Sequence, residues 1–128
     1  MNNTTMAIDK SDILILLPAY NEASVIGNVI ADIHKMEYPN ICVINDGSTD
    51  LTAEKAIEAG ATLLNHPINR GAGAAVQTGI AYAKKKGFKY AITMDSDGQH
   101  LVEDIENLCN KMDETDADIV IGLSLIHI

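Results

Sequence analysis

The sequence predicts an α/β fold of three layers, a mostly parallel sheet with helices on both faces. Three observations carry this. Short apolar runs of strand length alternate with segments whose apolar residues recur at helical spacing. Loops of a few residues join them, the arrangement of strands linked by right-handed crossovers. Polar residues also cluster where the strands end, at the edge where parallel sheets bind ligands.

Residues 1–11 form a polar N-terminal tail without the basic start or apolar centre of a signal peptide. The run 13–17 is wholly apolar and ends at Pro18, which cannot donate to a ladder, so it reads as a buried strand stopped there. Val25, Ile26, Val29, Ile30, Ile33 and Met36 recur at helical spacing, with Asn21 or Ser24 as candidate caps. A second strand spans 40–45. The turn of Asp46, Gly47, Ser48, Thr49 and Asp50 then opens a helix carrying Leu51, Ala53, Ala56 and Ile57, which Gly60 ends. Residues 61–64 form a third strand and 65–70 a loop. Residues 71–86 read as a helix with a small inner face of Ala75, Val76, Gly79, Ile80 and Ala83. Tyr90, Ala91, Ile92, Thr93 and Met94 form a strand buried on both faces. Leu101, Ile105, Leu108, Cys109 and Met112 mark a further amphipathic helix, and 118–121 a last short strand.

The 128 residues make one domain with a core, since 47% are hydrophobic and 21% charged. A formal charge of −9 argues against a nucleic-acid partner, while a cation-bridged anionic ligand remains compatible with it. Cys42 and Cys109 lack metal-type spacing and read as reduced core residues of a cytosolic protein. No stretch approaches the length of a membrane span.

Chemistry concentrates in three turns at strand carboxyl ends: Pro18 to Glu22, Asn45 to Ser48, and Asp95 to Gln99. Each alone reads as a turn and helix cap; their convergence on one sheet edge can line a single crevice. Asp46 can accept from the ring N–H of a uracil or guanine, and Glu22 from ribose hydroxyls. Asp95 and Asp97 repel each other there unless a cation or a hydrogen-bonding ligand joins them. Asp97 and the amide oxygen of Gln99 are hard oxygen donors suited to Mg²⁺ or Mn²⁺, with diphosphate oxygens and water completing an octahedron.

Competing patterns fit less well. Asp95, Asp97, Gln99 and Glu106 occupy EF-hand positions, but His100 stands where that loop needs glycine and a strand precedes it. Gly71, Ala72 and Gly73 open like a dinucleotide fingerprint, yet Val76 replaces its third glycine and a loop precedes it. Backbone N–H groups at this helix start can still meet a phosphate, with Arg70 beside them. Lys84, Lys85 and Lys86 read as a solvated helix end. His34, His66 and His100 have no ligand spacing; only His100 falls near the proposed site, and none receives a defined role.

In the order LPAYNE, VINDGSTD, NRGAGAAVQTGI and MDSDGQH, the chain resembles the nucleotide-sugar-binding half of family-two glycosyltransferases of GT-A fold. It is most similar to dolichyl-phosphate mannose synthases and other polyprenyl-phosphate glycosyltransferases. The resemblance runs over residues 12–122. It implies that Pro18, Ala19, Tyr20 and Glu22 contact the nucleoside, Asp46 the base, and Arg70, Asp95 and Ser96 the donor. It also implies that Asp97 is catalytic and a direct metal ligand with Gln99, Asp95 completing the metal site. Asn45 stands where many members have aspartate, and Ala72 where many have lysine.

The expected activity is inverting, metal-dependent transfer from a GDP- or UDP-sugar to an acceptor, a polyprenyl or dolichyl phosphate at the membrane surface. The expected location is cytoplasmic, peripheral at the inner membrane face, with C-terminal membrane helices in the parent protein. Residues 123–128, LSLIHI, match the translation of a transposase adapter used in sequencing libraries. They therefore read as a non-native tail on a C-terminally truncated, donor-binding fragment with a bare sheet edge. A nucleotide-binding module without transfer activity, or a nucleotidyltransferase-like relative, is the alternative.

Overall fold

The computed structural model describes residues 9–94 and the backbone of residues 124–127. In chain order these form β1 (Ile13–Ala19), α1 (Ala23–Lys35), β2 (Ile41–Asp46), α2 (Thr52–Glu58), β3 (Thr62–His66), α3 (Ala72–Lys86), β4 (Tyr90–Thr93) and β5 (Ser124–His127). The sheet order is β3-β2-β1-β4-β5, with the first four strands parallel and β5 antiparallel to β4. The expected helix around Leu101 to Met112 and the expected strand 118–121 lie outside the described residues.

Alternation along β1 creates the two cores. Ile13, Ile15, Leu17 and Ala19 face α1 and α2, packing with Ile26, Ile30, Ile33 and Ala56. Leu14 and Leu16 face α3 with Cys42, Ile44, Ala75, Ala83 and Ala91. The three-layer arrangement follows directly from this split. Burial pushes the Cys42 thiol up to about 12, so it is an unreactive core group.

The buried stripe of α3 is Ala75, Gly79 and Ala83, and its small residues bring the helix axis close to the sheet. A Cβ on Gly79 would lie 2.9 Å from both Leu16 methyl carbons and 3.1 Å from Ile44 Cδ1. Gly79→Ala gains helix propensity but presses on the ends of two fully buried side chains, Leu16 and Ile44, which must shift. A net loss of about 1–2 kcal/mol is expected in urea unfolding.

Several boundaries differ from the sequence reading. Strand β1 continues through Pro18 to Ala19. The Ile15 N–H bonds toward β2, at Asn40 O, while Leu16 O accepts from Met94 N–H on the β4 side. Alternation therefore turns Pro18's missing donor toward β4, which has already ended at Thr93. Strand β3 extends through Asn65 and His66, residues read as loop because they are polar. In α2 only Thr52 and Ala56 are buried, while Leu51 and Ile57 are exposed.

The N-terminal tail is tied down from residue 9. Asp9 caps a short 3-10 turn, Lys10–Asp12, and Lys10 Nζ lies 2.7 Å from Met36 O and 4.7 Å from the buried Tyr38 ring centroid. At the opposite end of the sheet, β5 pairs along β4 with Tyr90 opposite His127 and Thr93 opposite Ser124. The β4 edge is thereby paired, and β5 is the outer strand on that side. The strand comes from residues 124–127, Ser-Leu-Ile-His, within the segment read as a tail foreign to the fold.

Candidate functional site

Strand order reverses between β1 and β4: β2 and β3 follow on one side of β1, and α3 carries the chain back to the other. Ligands of open parallel sheets bind at the carboxyl edge beside such a switch point. The described turns after β1, β2 and β3 all meet there, locked together by side chains.

The turn after β1 is fastened to the turn after β2 at successive residues. The N–H groups of Asn21, Glu22 and Ala23 donate to Ser48 Oγ (2.9 Å), Thr52 Oγ1 (2.9 Å) and Asp50 Oδ2 (3.2 Å). In return, Asn21 Oδ1 accepts from the Thr49 N–H at 2.8 Å, with Asn21 at φ 54°. The expected caps, Asn21 and Ser24, do not cap α1. Acceptors on a neighbouring turn satisfy its first donors instead, so these amides are already spent and do not present themselves to a phosphate. Thr52 Oγ1 also bonds Asp50 Oδ1. The Thr52 hydroxyl leads the bonds that hold the Asp50 carboxyl below its ordinary range.

The turn after β3 is gathered by Asp46, whose residue is 4% exposed. Asp46 Oδ1 accepts from His66 Nδ1 (2.8 Å) and the Arg70 N–H (2.9 Å), and Oδ2 accepts from the Gly71 N–H (2.8 Å). Burial alone would raise this carboxyl, but the Arg70, His66 and Gly71 bonds and the nearby His66 hold it below the usual carboxylate range. His66 Nε2 in turn lies 2.8 Å from Thr78 Oγ1 on α3. Beside this group, Asn45 Nδ2 donates to Asn65 Oδ1 at 3.0 Å, and Asn45 Oδ1 accepts from the Ser48 N–H at 3.2 Å.

Ala19 is buried, Pro18 and Glu22 are half-buried, and Tyr20 is 46% exposed at the rim. Among the described residues the Glu22 carboxylate has no hydrogen-bond partner, leaving its oxygens open to a ligand's hydroxyls. Asp46 and Arg70 are joined, though through the Arg70 backbone N–H; the Arg70 residue itself is exposed. Asp95, Ser96, Asp97 and Gln99 lie outside the described residues. The structure does record the exit of β4: the Met94 N–H donates to Leu16 O at 3.2 Å. Among the described residues no group of three or more His, Cys, Asp or Glu could hold a metal ion. Two carboxylates and an amide oxygen following that exit are a donor set that fits Mg²⁺ or Mn²⁺.

Sequence reasoning missed what His66, Thr78 and Asn21 bond, and the capping role of Asp50 and Thr52. His66 had one available signal: it is the parallel register partner of Asp46, which is visible only once β3 is extended to its polar end. No helix among the described residues is long and apolar enough to cross a membrane.

Comparison with known proteins gives consistent results. The profile of Glycosyl transferase family 2 matches residues 14–127. An uncharacterised protein of Methanocaldococcus jannaschii is 38% identical over 121 residues, covering 94% of this chain and 50% of the relative. A UDP-N-acetylglucosamine–dolichyl-phosphate N-acetylglucosaminyltransferase of Methanococcus voltae is 32% identical over 127 residues, covering 86% of this chain and 51% of that protein. The chain therefore spans about half the length of these curated relatives. Among solved structures, glucosyl-3-phosphoglycerate synthase of Mycobacterium tuberculosis aligns with a TM-score of 0.55 and 30% identity. The alignment covers 66% of this chain and 33% of that one; the synthase was solved with Mn²⁺, UDP and glucosyl-3-phosphoglycerate. The same synthase was also solved with Mg²⁺ and UDP.

Proposed function

The chain belongs to glycosyl transferase family 2, and from that premise we propose that it is the donor-binding part of a metal-dependent, inverting glycosyltransferase. The observation that carries this is the interlocked carboxyl edge. Three turns held by Asn21, Ser48, Asp50, Thr52 and Asp46 form one rigid ledge at the switch point, a form suited to a nucleoside diphosphate.

On that ledge Pro18, Ala19 and Tyr20 give the nucleoside an apolar floor and rim, and Glu22 accepts from the ribose hydroxyls. Asp46 serves chiefly as scaffold. Its three donors leave about one of some four lone-pair sites, on Oδ2, for a base N–H. Arg70 and Ser96 meet the diphosphate. Asp97, with Gln99 and Asp95, holds the divalent cation, which when bound neutralises the leaving diphosphate.

The proposed acceptor is a polyprenyl phosphate at a membrane surface. Its oxygen is already mostly anionic at neutral pH, since second phosphate pKa values lie near ~6, so attack on the anomeric carbon requires no strong protein base. The Methanococcus voltae relative, named for a dolichyl-phosphate acceptor, supports this choice. Its donor, named as a UDP-sugar, favours UDP over GDP.

Calorimetry of the whole chain with UDP, GDP and their sugars, with and without Mn²⁺, tests the reading. Mn²⁺ is expected to tighten nucleotide binding by about tenfold or more, and Asp97→Ala to abolish that gain. Absent or metal-indifferent binding by the folded chain would sink it.

A further inference from the structure

Asp46 is an acceptor when ionised, so the atom of His66 that faces it, Nδ1, carries the proton of that bond. Nε2 is then engaged by the Thr78 hydroxyl, and both ring nitrogens are occupied. The side chain is 6% exposed and joins three elements: β2 through Asp46, β3 through its own backbone, and α3 through Thr78. The Asp46 carboxylate it touches also holds the Arg70 and Gly71 amides. Gly71 O accepts the first bond of α3, from the Ala75 N–H at 3.1 Å. A rotation of the Asp46 carboxylate would therefore release Arg70, Gly71 and the start of α3 together.

We infer that His66 is a positioning residue for the nucleotide site. Held between Asp46 and Thr78, its ring fixes the rotamer of Asp46 and so holds the backbone from which Arg70 projects. The inference rests on the nucleotide-sugar reading above and adds to it a residue that touches no ligand. Its effect on binding passes through Arg70, which separates it from a core histidine whose loss would merely lower stability. A side chain at 66 must donate at the Nδ1 position. Asparagine supplies an N–H₂ there, whereas alanine supplies nothing.

The test measures UDP affinity with Mn²⁺ by calorimetry in the whole chain and in His66→Ala, His66→Asn, Arg70→Ala and the His66→Ala/Arg70→Ala double variant. His66→Ala is expected to weaken binding about tenfold. His66→Asn should recover most of that loss, and Arg70→Ala should add little in the His66→Ala background. Amide exchange at Arg70 and Gly71 should quicken in His66→Ala while β1 amides stay protected. If His66→Ala does not fold, Thr78→Val removes the second anchor alone and should weaken binding by a few-fold in a folded chain. Folded His66→Ala or Thr78→Val binding UDP like the parent chain overturns the inference, as does a full Arg70→Ala loss persisting without His66. A parent chain that binds no nucleotide is a different result, because it overturns the proposed function itself.

Discussion

Gly47→Ala is expected to cost at least about 3 kcal/mol of stability and to weaken nucleotide binding by about tenfold or more. Two effects combine at this residue. Its φ of 77° is in the left-handed region, where a Cβ costs about 1–2 kcal/mol. A Cβ there would also stand 2.5 Å from Asn69 N and 2.6 Å from Ile68 C. Both are backbone atoms, so no rotamer change relieves the contact, and the turn after β3 must move away. That movement pulls the Arg70 and Gly71 amides off Asp46, and so opens the ledge on which the nucleotide is proposed to sit. Gly60→Ala is the control. Its φ is 94°, but its Cβ would meet only His34 Cε1 at 3.5 Å, so strain acts there without a clash. A loss of about 1 kcal/mol with nucleotide binding unchanged is expected for Gly60→Ala, measured by urea unfolding and calorimetry. Equal effects from both substitutions would show that backbone strain alone matters and that the close approach at Gly47 does not.

The apolar framework was legible because burial on both faces leaves a plain trace in composition. The run 13–17, the run 41–44 and the spacing of Ile26, Ile30 and Ile33 each identify an element without ambiguity. Legibility failed where side chains leave the core for the site. Asn65 and His66 complete β3, yet look like loop residues because their partners are Asn45 and Asp46 rather than a helix. The apolar residues read on α2 include Leu51 and Ile57, which are exposed; that short helix turns Thr52 inward, where its hydroxyl accepts from the Glu22 N–H. Local rules gave α1 a cap from its own turn. The actual acceptors lie 27 to 30 residues further on, a distance no local rule spans. The turns at 18–22 and 45–48 were legible as neighbours on one sheet edge. How Asp46 divides its oxygens among three donors depends on parallel register, which becomes visible only after the strands have been aligned.

Asp46→Asn is expected to lower stability by about 2–4 kcal/mol at neutral pH, because an amide has one acceptor oxygen where the carboxylate serves three donors. Its N–H₂ must face at least one of His66 Nδ1–H, Arg70 N–H or Gly71 N–H, and two donors cannot bond each other. The pH dependence separates this from simple loss of packing. The Asp46 carboxyl is held below its ordinary value in the folded chain, so its folded pKa lies under the unfolded value of about 3.9. The contribution is therefore fully present above about pH 4 and is lost as pH falls through the folded pKa. Asp9 and Asp50 are shifted the same way, by bonds from Ser11 and from Thr52 respectively, and add to the acid limb of both proteins. Their share cancels in the difference between parent and variant. Urea unfolding at pH 7, 5 and 3 should thus show a gap that is constant from pH 7 to 5 and narrows by pH 3. A gap that stayed constant down to pH 3 would mean that the charge of Asp46 is not what holds Arg70 and Gly71 in place.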